Sequence, residues 1–378
     1  MRYFFSLCLY MMFMNNHAQN IKDYYEIGEY AKAVAAFSKI DNPTTEDRIV
    51  LAKVYAAKGM TLECMQTYND ALIETKKSDF LKSKFQYAKI LQTQNKLAKA
   101  DSIYSALLEI MPEHAEILYQ KGKIAKAYEK LAYHQYFLDA LLYDQTHIKA
   151  AHEASRYFME VDNLKMAKNI CLKTLKKVPN TPRLINLLAQ IHYREEDYKT
   201  SLAYIQELET LKTDLPKFIY EIKGNNYSKL GLYKDALSAY EQAFKKGNKD
   251  YVLALKIAEI SIQLDKFDKA SKYLMIYRMF KDTSMWEFNY LMARVNMHRK
   301  NYRMAFYEFQ KAYNENVNHE ASLYYRAVAA DNFMEDKSKA LDYYTNYIET
   351  YEDEKGAKFI ELALRREAEI RRTLFMQE

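Results

Sequence analysis

Small residues recur along the chain at a nearly constant interval. They are Ala52, Ala88, Gly122, Ser155, Ala189, Gly224, Ala258, Ala293 and Ala327. Successive members lie 33 to 36 residues apart, and the apolar residues between them follow a helical period. This fixed interval predicts a chain that is built from repeated structural units rather than around one irregular core.

A second set of small residues follows the first within each interval. Its members are Cys64, Ala100, Ala167, Ser201, Ala236, Ala270, Ala305 and Ala340. An aromatic residue stands four positions later in five copies, as Tyr68, Tyr104, Tyr240, Phe309 and Tyr344. Small residues allow two helices to cross closely, and aromatic rings fill the space beside the crossing. The pattern therefore predicts a pair of helices in each interval.

The clearest copy places Gly224 and Tyr227 in a first helix and Ala236, Tyr240 and Ala243 in a second. In these positions the chain resembles the tetratricopeptide repeat (TPR), whose period is about 34 residues. The resemblance implies an all-α fold, a right-handed superhelical solenoid of stacked antiparallel helix pairs with a C-terminal capping helix. We expect a signal peptide at 1–18, a partial first repeat at 19–44, nine repeats in one continuous solenoid at 45–354, and the capping helix at 357–378.

Two copies depart from this pattern. In the copy at 115–147, Tyr133 and His134 stand where the second small residue is expected, so its second helix is one residue out of phase. The last copy carries an extra residue before Ala340. In the capping helix we expect Ala363 or Leu362 to face the core together with Phe359, Ile370 and Leu374. We expect its arginines to point outward, at positions Arg365, Arg366, Arg371 and Arg372.

The first residues of the chain differ in composition from the repeats. Arg2 precedes an uncharged apolar run from Tyr3 to Met14, and the small Ala18 follows shortly afterwards. This order is typical of a secretory signal peptide that is cleaved after Ala18, and the run is short for a membrane-spanning helix. We therefore expect an exported protein, periplasmic or associated with the cell envelope, with no transmembrane segment in the mature chain. The alternative is a buried N-terminal helix.

The sequence offers no catalytic arrangement. Its seven glycines are scattered, so it has no glycine-rich phosphate loop and no Gly-x-Ser-x-Gly motif. It also lacks His-Glu-x-x-His and paired Cys-x-x-Cys motifs, which are typical of zinc sites. Cys64 and Cys171 occupy packing positions, and we expect both to be buried free thiols. We predict a protein that is not an enzyme and that has no cofactor, catalytic residue or metal site.

The net charge of +6 is distributed along the whole chain. A nucleic-acid-binding module more often concentrates its basic residues in one stripe or arm. In proteins with this repeat, the first helix of each copy lines a concave groove. The resemblance carries ten positions over to such a groove, at Lys82, Lys89, Lys123, Lys126, Lys149, Arg156, Arg183, Asn186, Gln190 and Arg194.

These basic and amide side chains suit a carboxylate, because arginine can hold one with two parallel hydrogen bonds. The hypothesis is that the groove binds an acidic or C-terminal segment of a protein or peptide partner. The alternative is that the stripe is ordinary surface charge in a lysine-rich chain. We predict a protein–protein interaction scaffold and do not expect a nucleic-acid or small-molecule ligand. An RNA-binding helical-repeat protein is the alternative function.

Overall fold

The structure is a computed structural model, and it describes residues 21–73, 77–211, 214–247, 250–281 and 283–376. The predicted signal peptide at 1–18 lies outside these residues. Residues 21–26 are helical. The helices that follow are α1 (Tyr30–Phe37), α2 (Thr45–Ala57), α3 (Thr61–Ile73), α4 (Lys77–Thr93), α5 (Leu97–Ile110), α6 (Ala115–Ala127), α7 (Tyr133–Tyr143), α8 (Ile148–Glu160), α9 (Leu164–Lys177), α10 (Pro182–Arg194), α11 (Tyr198–Leu211), α12 (Lys217–Lys229), α13 (Tyr233–Lys245), α14 (Tyr251–Gln263), α15 (Phe267–Phe280), α16 (Trp286–His298), α17 (Tyr302–Glu315), α18 (Glu320–Phe333), α19 (Lys337–Tyr351) and α20 (Ile360–Phe375).

The described part of the chain is entirely helical apart from turns and short connections. Each predicted interval contains two helices that pack against each other, from α2 with α3 to α18 with α19. We call the even-numbered helices from α2 to α18 first helices and the odd-numbered helices from α3 to α19 second helices. The predicted all-α fold of consecutive helix pairs is therefore confirmed.

The small residues lie at the crossings of these pairs. In the pair α8–α9, the hydroxyl of Ser155 donates a hydrogen bond of 3.3 Å to the carbonyl oxygen of Ala167. The hydroxyl of Ser201 in α11 donates a bond of 2.8 Å to the carbonyl oxygen of Ala189 in α10. A side chain can reach the backbone of the opposite helix only where the two helices approach closely, so both small positions of a repeat meet at the crossing.

Glycine takes the crossing position where an aromatic ring lies directly against the first helix. A Cβ atom on Gly224 would lie 2.4 Å from the ring of Tyr240, and one on Gly122 would lie 2.6 Å from the ring of Phe137. The second contact belongs to the irregular copy, in which α7 places Phe137 one residue early. Tyr133 occupies the missing small position and packs edge-on against Phe137, with ring centroids 6.2 Å apart. This arrangement explains how the copy accommodates its phase shift.

The turns inside the repeats share one backbone feature. A residue with positive φ ends each first helix in eight successive repeats, namely Gly59, Asn95, Glu129, Asp162, Glu196, Gly231, Asp265 and Lys300. This left-handed residue reverses the chain sharply and lets the next amide bond back to the helix end. The last repeat differs, because Met334 ends α18 in an extended conformation. The extra residue before Ala340 accounts for this change.

The chain divides into two compact units, Met1–Leu184 and Ile185–Glu378, which we call unit 1 and unit 2. The core of unit 1 includes the fully buried rings of Tyr68, Tyr104 and Phe137 between helix pairs. The core of unit 2 includes the equally buried Phe309 and Tyr347. Cys64 and Cys171 are buried free thiols in unit 1, as predicted, and burial raises the pKa of each thiol to about 11.

The last helix, α20, packs against α19 within unit 2. It buries Ala363 and Ile370, whereas Leu362 is exposed. The expectation that Arg366 points outward is wrong. Its Nε lies 2.7 Å from the carboxylate of Asp331, a buried residue of α18, and this hydrogen bond is the main reason that the pKa of Arg366 is raised. A buried carboxylate needs a cationic partner, so α20 supplies one.

Candidate functional site

Seven of the ten predicted groove residues lie in unit 1. Lys82 and Lys89 are on α4, Lys123 and Lys126 on α6, Lys149 and Arg156 on α8, and Arg183 on α10. All are exposed except the half-buried Lys126. Asn186, Gln190 and Arg194 lie on the part of α10 that belongs to unit 2.

The first helices α2 and α4, together with Tyr25, line an open cavity of about 510 Å³. Its lining residues are Tyr25, Lys53, Ala56, Ala57, Gln86, Lys89, Ile90 and Thr93. We call this surface the α2–α4 face. Its volume falls within the range of pockets that bind small ligands or single side chains. Lys89 is the only predicted groove residue on this lining.

Two further lysines, Lys22 and Lys82, lie close enough to the α2–α4 face to act on the charge of Lys53. Burial, followed by the charges of Lys22 and Lys82, lowers the pKa of Lys53 below its ordinary value, although Glu46 opposes part of this effect. The ammonium of Lys89 lies 5.6 Å from the ring centroid of Phe85. Among the residues that the structure describes, neither Lys53 nor Lys89 has a carboxylate within ion-pair distance. The face therefore presents two lysines whose charges are available to an anionic ligand.

Sequence reasoning missed Lys53, although the sequence carries a signal for it. Lys53 directly follows the small residue Ala52 in α2, as Lys89 follows Ala88 in α4. Residues in equivalent positions of neighbouring first helices lie side by side when the helices pack in register. The spacing of the small residues would thus have placed the two lysines together.

Two basic residues on the neighbouring first helices α6 and α8 form ion pairs. The ammonium of Lys126 in α6 lies 2.9 Å from the carboxylate of Glu153 in α8. On the same helix, Arg156 lies 3.3 Å from Glu160. Hydrogen bonds from His152 and, to a smaller extent, from Lys126 lower the pKa of Glu153 to about 2, against the opposing effect of burial. We call this surface the α6–α8 face, and two of its four predicted groove cations, Lys126 and Arg156, are paired with carboxylates.

A histidine also links these two helices. The Nδ1 atom of His147 accepts a hydrogen bond of 3.1 Å from the backbone amide of Ala150 and so caps α8. Because Nδ1 accepts, Nε2 carries the proton, and it donates to Glu116 in α6 over 3.0 Å. This bond is the main reason that the pKa of Glu116 is lowered to about 2. The α6–α8 face therefore contains two ionised carboxylates among its basic residues.

The three predicted residues in unit 2 form a shorter polar row. The amide nitrogen of Gln190 donates a hydrogen bond of 3.1 Å to the side-chain oxygen of Asn186. Both side chains are half-buried, and Arg194 at the end of the row is exposed. Their mutual bond leaves the remaining amide groups of this pair able to contact a ligand.

The described ranges contain no group of three or more side chains that could hold a metal ion. Across the same ranges, no helix combines the length and apolar character that crossing a membrane requires. The titratable groups with shifted pKa values lie in ion pairs and helix crossings spread along the chain. They do not converge on one cleft as the groups of an active site do.

No family model matches the chain. It is 23% identical over 232 residues to the TPR repeat-containing protein YpiA of Bacillus subtilis (strain 168), a match that covers 58% of this chain and 53% of YpiA. The chain thus spans about half the length of that curated relative. Among solved structures it is similar to YrrB, described as a TPR protein with an unusual peptide-binding site (TM-score 0.47, 15% identity, 50% of this chain and 97% of YrrB). It is also similar to PilW, a type IV pilus biogenesis factor (TM-score 0.45, 15% identity, 57% of this chain and 96% of PilW).

The sequence register and the helix pairs agree with the sequence match. Small residues meet at the helix crossings with the spacing of a tetratricopeptide repeat, and the left-handed turn recurs in the same place in eight repeats. The curated relative, whose match covers 58% of this chain, is named for the same repeat. The chain is therefore similar to tetratricopeptide-repeat proteins in its sequence register and in its helix pairs.

Proposed function

We propose that the protein is a non-catalytic interaction scaffold that binds a segment of a partner protein on its first-helix side. The observation that carries this proposal is the cavity of the α2–α4 face with Lys53 and Lys89 on its lining. Among the residues that the structure describes, neither lysine has a carboxylate within ion-pair distance, whereas Lys126 and Arg156 do. We therefore place the binding site at α2 and α4, where both lysines line one cavity.

The lining of the α2–α4 face indicates the kind of segment that fits. Lys53 and Lys89 favour a carboxylate, either an acidic side chain or a C-terminus. Ala56 and Ile90 offer apolar surface beside the cations, and the amide of Gln86 can hydrogen-bond the peptide backbone. An extended acidic segment with one small apolar side chain matches all three features.

A binding measurement with charge-reversed variants tests this proposal. Fluorescence anisotropy with a labelled short peptide that ends in a free acidic residue would compare the wild type with the double variant Lys53→Glu and Lys89→Glu. We expect at least about tenfold weaker binding, because two attractive contacts become repulsive. The matched control reverses Lys99 and Lys173, which are exposed residues of second helices, and we expect it to bind as the wild type does.

Equal affinity of both double variants would contradict the proposed site. A labelled RNA oligonucleotide in the same assay tests the alternative function, because phosphate contacts make RNA binding fall steeply with salt. RNA binding that exceeds peptide binding at physiological salt would favour the RNA-binding helical repeat.

We also propose that the protein is exported and acts in the cell envelope, on the evidence of the apolar run that follows Arg2. N-terminal sequencing of the protein recovered from a bacterial envelope fraction tests this. A mature chain that begins directly after Ala18 supports export. An intact N-terminus in a protein that remains with the cytoplasmic fraction would contradict it.

A further inference from the structure

Unit 2 buries an arginine without a neutralising carboxylate. Arg326 of α18 is 8% exposed, and the ion pairs of the described residues include none to its guanidinium. Nη1 donates a hydrogen bond to the side-chain oxygen of Gln310, and Nη2 donates one of 3.0 Å to that of Asn346. Nε has no hydrogen-bond partner within the part of the chain that the structure describes. Such an arginine is rare, because buried charges are normally paired.

Aromatic rings account for part of the stability of this charge. The guanidinium carbon lies 5.0 Å from the ring centroid of Tyr343 and 5.9 Å from that of Tyr313. Both distances allow a cation–π attraction. The rings and the two amide oxygens are nevertheless neutral, so the positive charge is not cancelled. Burial lowers the pKa of Arg326 below its ordinary value, yet an arginine in a protein keeps its proton.

Arg326 also lines a cavity of about 300 Å³. The remaining lining residues are Met334, Lys339, Asp342, Tyr343 and Asn346. The cavity opens beside α19, and Gln310 reaches Arg326 from α17, so second helices supply most of its surroundings. None of its lining residues belongs to the α2–α4 face, and its volume suffices for a small acid or one side chain.

We propose that this cavity binds a carboxylate, with the guanidinium of Arg326 as the anchoring cation. A planar carboxylate matches the fork of an arginine, and the amides of Gln310 and Asn346 can turn to donate to its oxygens. Lys339, which lies 3.8 Å from Asp336, also lines the cavity, and the carboxylate of Asp342 repels a doubly charged phosphate more strongly than a singly charged carboxylate. The carboxylate comes from an acidic residue of a protein partner or from a free small acid.

Nuclear magnetic resonance of the arginine Nε–H groups tests this proposal on the full chain. The signal of Arg326 is identified as the one that disappears in the variant Arg326→Lys. Sodium acetate, a short peptide with one aspartate, sodium phosphate and sodium chloride are then titrated at equal ionic strength. We expect a saturable shift of the Arg326 signal with acetate or the peptide, at least fivefold tighter than with phosphate, and none with chloride. Tighter binding of the peptide than of acetate identifies a protein partner as the source.

Two variants control for general effects. Arg303→Gln removes an exposed arginine of α17 that also lies beside an aromatic ring, Phe333, and we expect the Arg326 signal to shift as in the wild type. Arg326→Gln should abolish acetate binding measured by calorimetry. A wild-type Arg326 signal that does not move with any carboxylate would overturn the proposal even if Arg326→Gln fails to fold. Equal acetate binding by a folded Arg326→Gln protein would overturn it as well.

Discussion

The α2–α4 face and the α6–α8 face both carry basic residues on first helices, yet they differ in whether the residues compared below pair with carboxylates of the protein. Lys53 and Lys89 have no carboxylate beside them among the described residues, whereas Lys126 is bound to Glu153 and Arg156 to Glu160. The difference shows that a basic stripe in a repeat sequence is not by itself a binding stripe. What matters is whether an acidic residue of the same helix or of the next repeat reaches the basic side chain.

The two faces also differ in the residues at their helix crossings. A substitution at one of these crossings has the largest expected effect. In the α2–α4 face, α4 crosses its second helix at Ala88. In the α6–α8 face, α6 crosses its second helix at Gly122, and the ring of Phe137 lies directly against this glycine. Gly122→Ala should destabilise the protein by about 1–3 kcal/mol, because the new methyl group would clash with the buried ring of Phe137. Thermal unfolding measures the effect. Gly247→Ala is the control, since its Cβ would meet only the flexible end of Lys217 at 3.4 Å, and an equal loss in both variants would contradict this account.

Acid should reduce the contribution of the α6–α8 face to the stability of the folded state and leave the contribution of the α2–α4 face unchanged. The pKa values of Glu116 and Glu153 are lowered to about 2, so both carboxylates stabilise the folded state fully above their ordinary pKa. This contribution is lost as the pH falls through the folded value. We expect the double variant Glu116→Gln and Glu153→Gln to lose about 1–2 kcal/mol at pH 7 and to approach the stability of the wild type only as the pH falls below the folded pKa values.

Urea unfolding at several pH values checks this expectation. Glu109→Gln serves as the control because Glu109 is exposed on a second helix, and its stability should follow the wild type at every pH. A double variant that stays as stable as the wild type at pH 7 would show that these pairs contribute nothing measurable.

The smallest expected effect comes from a substitution that removes a carboxylate partner from the α6–α8 face. Glu153→Gln releases Lys126 from its partner, so the α6–α8 face should gain affinity for an acidic peptide by about two- to fivefold, as expected for one exposed charge. Anisotropy with the double variant Lys53→Glu and Lys89→Glu as background isolates this gain. If the added substitution leaves the affinity unchanged, pairing with Glu153 is not what limits this face.

The helix pairs could be predicted from the sequence because each crossing depends on residues about 12 positions apart, as Ser155 and Ala167 show. The side-chain pairs could not, because they join different repeats. Lys126 and Glu153 are 27 residues apart, and Glu116 and His147 are 31 apart. The same reason explains the error at Arg366, whose partner Asp331 lies 35 residues earlier. Lys53 is a different case, since the repeat register alone could have placed it beside Lys89.

The ten predicted groove residues stay a prediction as a binding site, and the structure gives them unequal environments. Lys89 lines the cavity of the α2–α4 face, and Lys82 contributes to the positive charge near it. Lys126 and Arg156 are paired, and Asn186 is bonded to Gln190. The sequence positions alone therefore could not show which of these side chains are bonded to other residues of the protein. That required the side-chain geometry.

Hydrogen exchange with and without bound peptide tests the central claim most directly. Mass spectrometry of the wild type, alone and saturated with the acidic peptide, would map which helices gain protection. We predict slower exchange in α2 and α4, together with residues 21–26, and unchanged exchange in α6 and α8. Protection confined to α6 and α8, or to the second helices, would contradict the assignment of the binding site to the α2–α4 face.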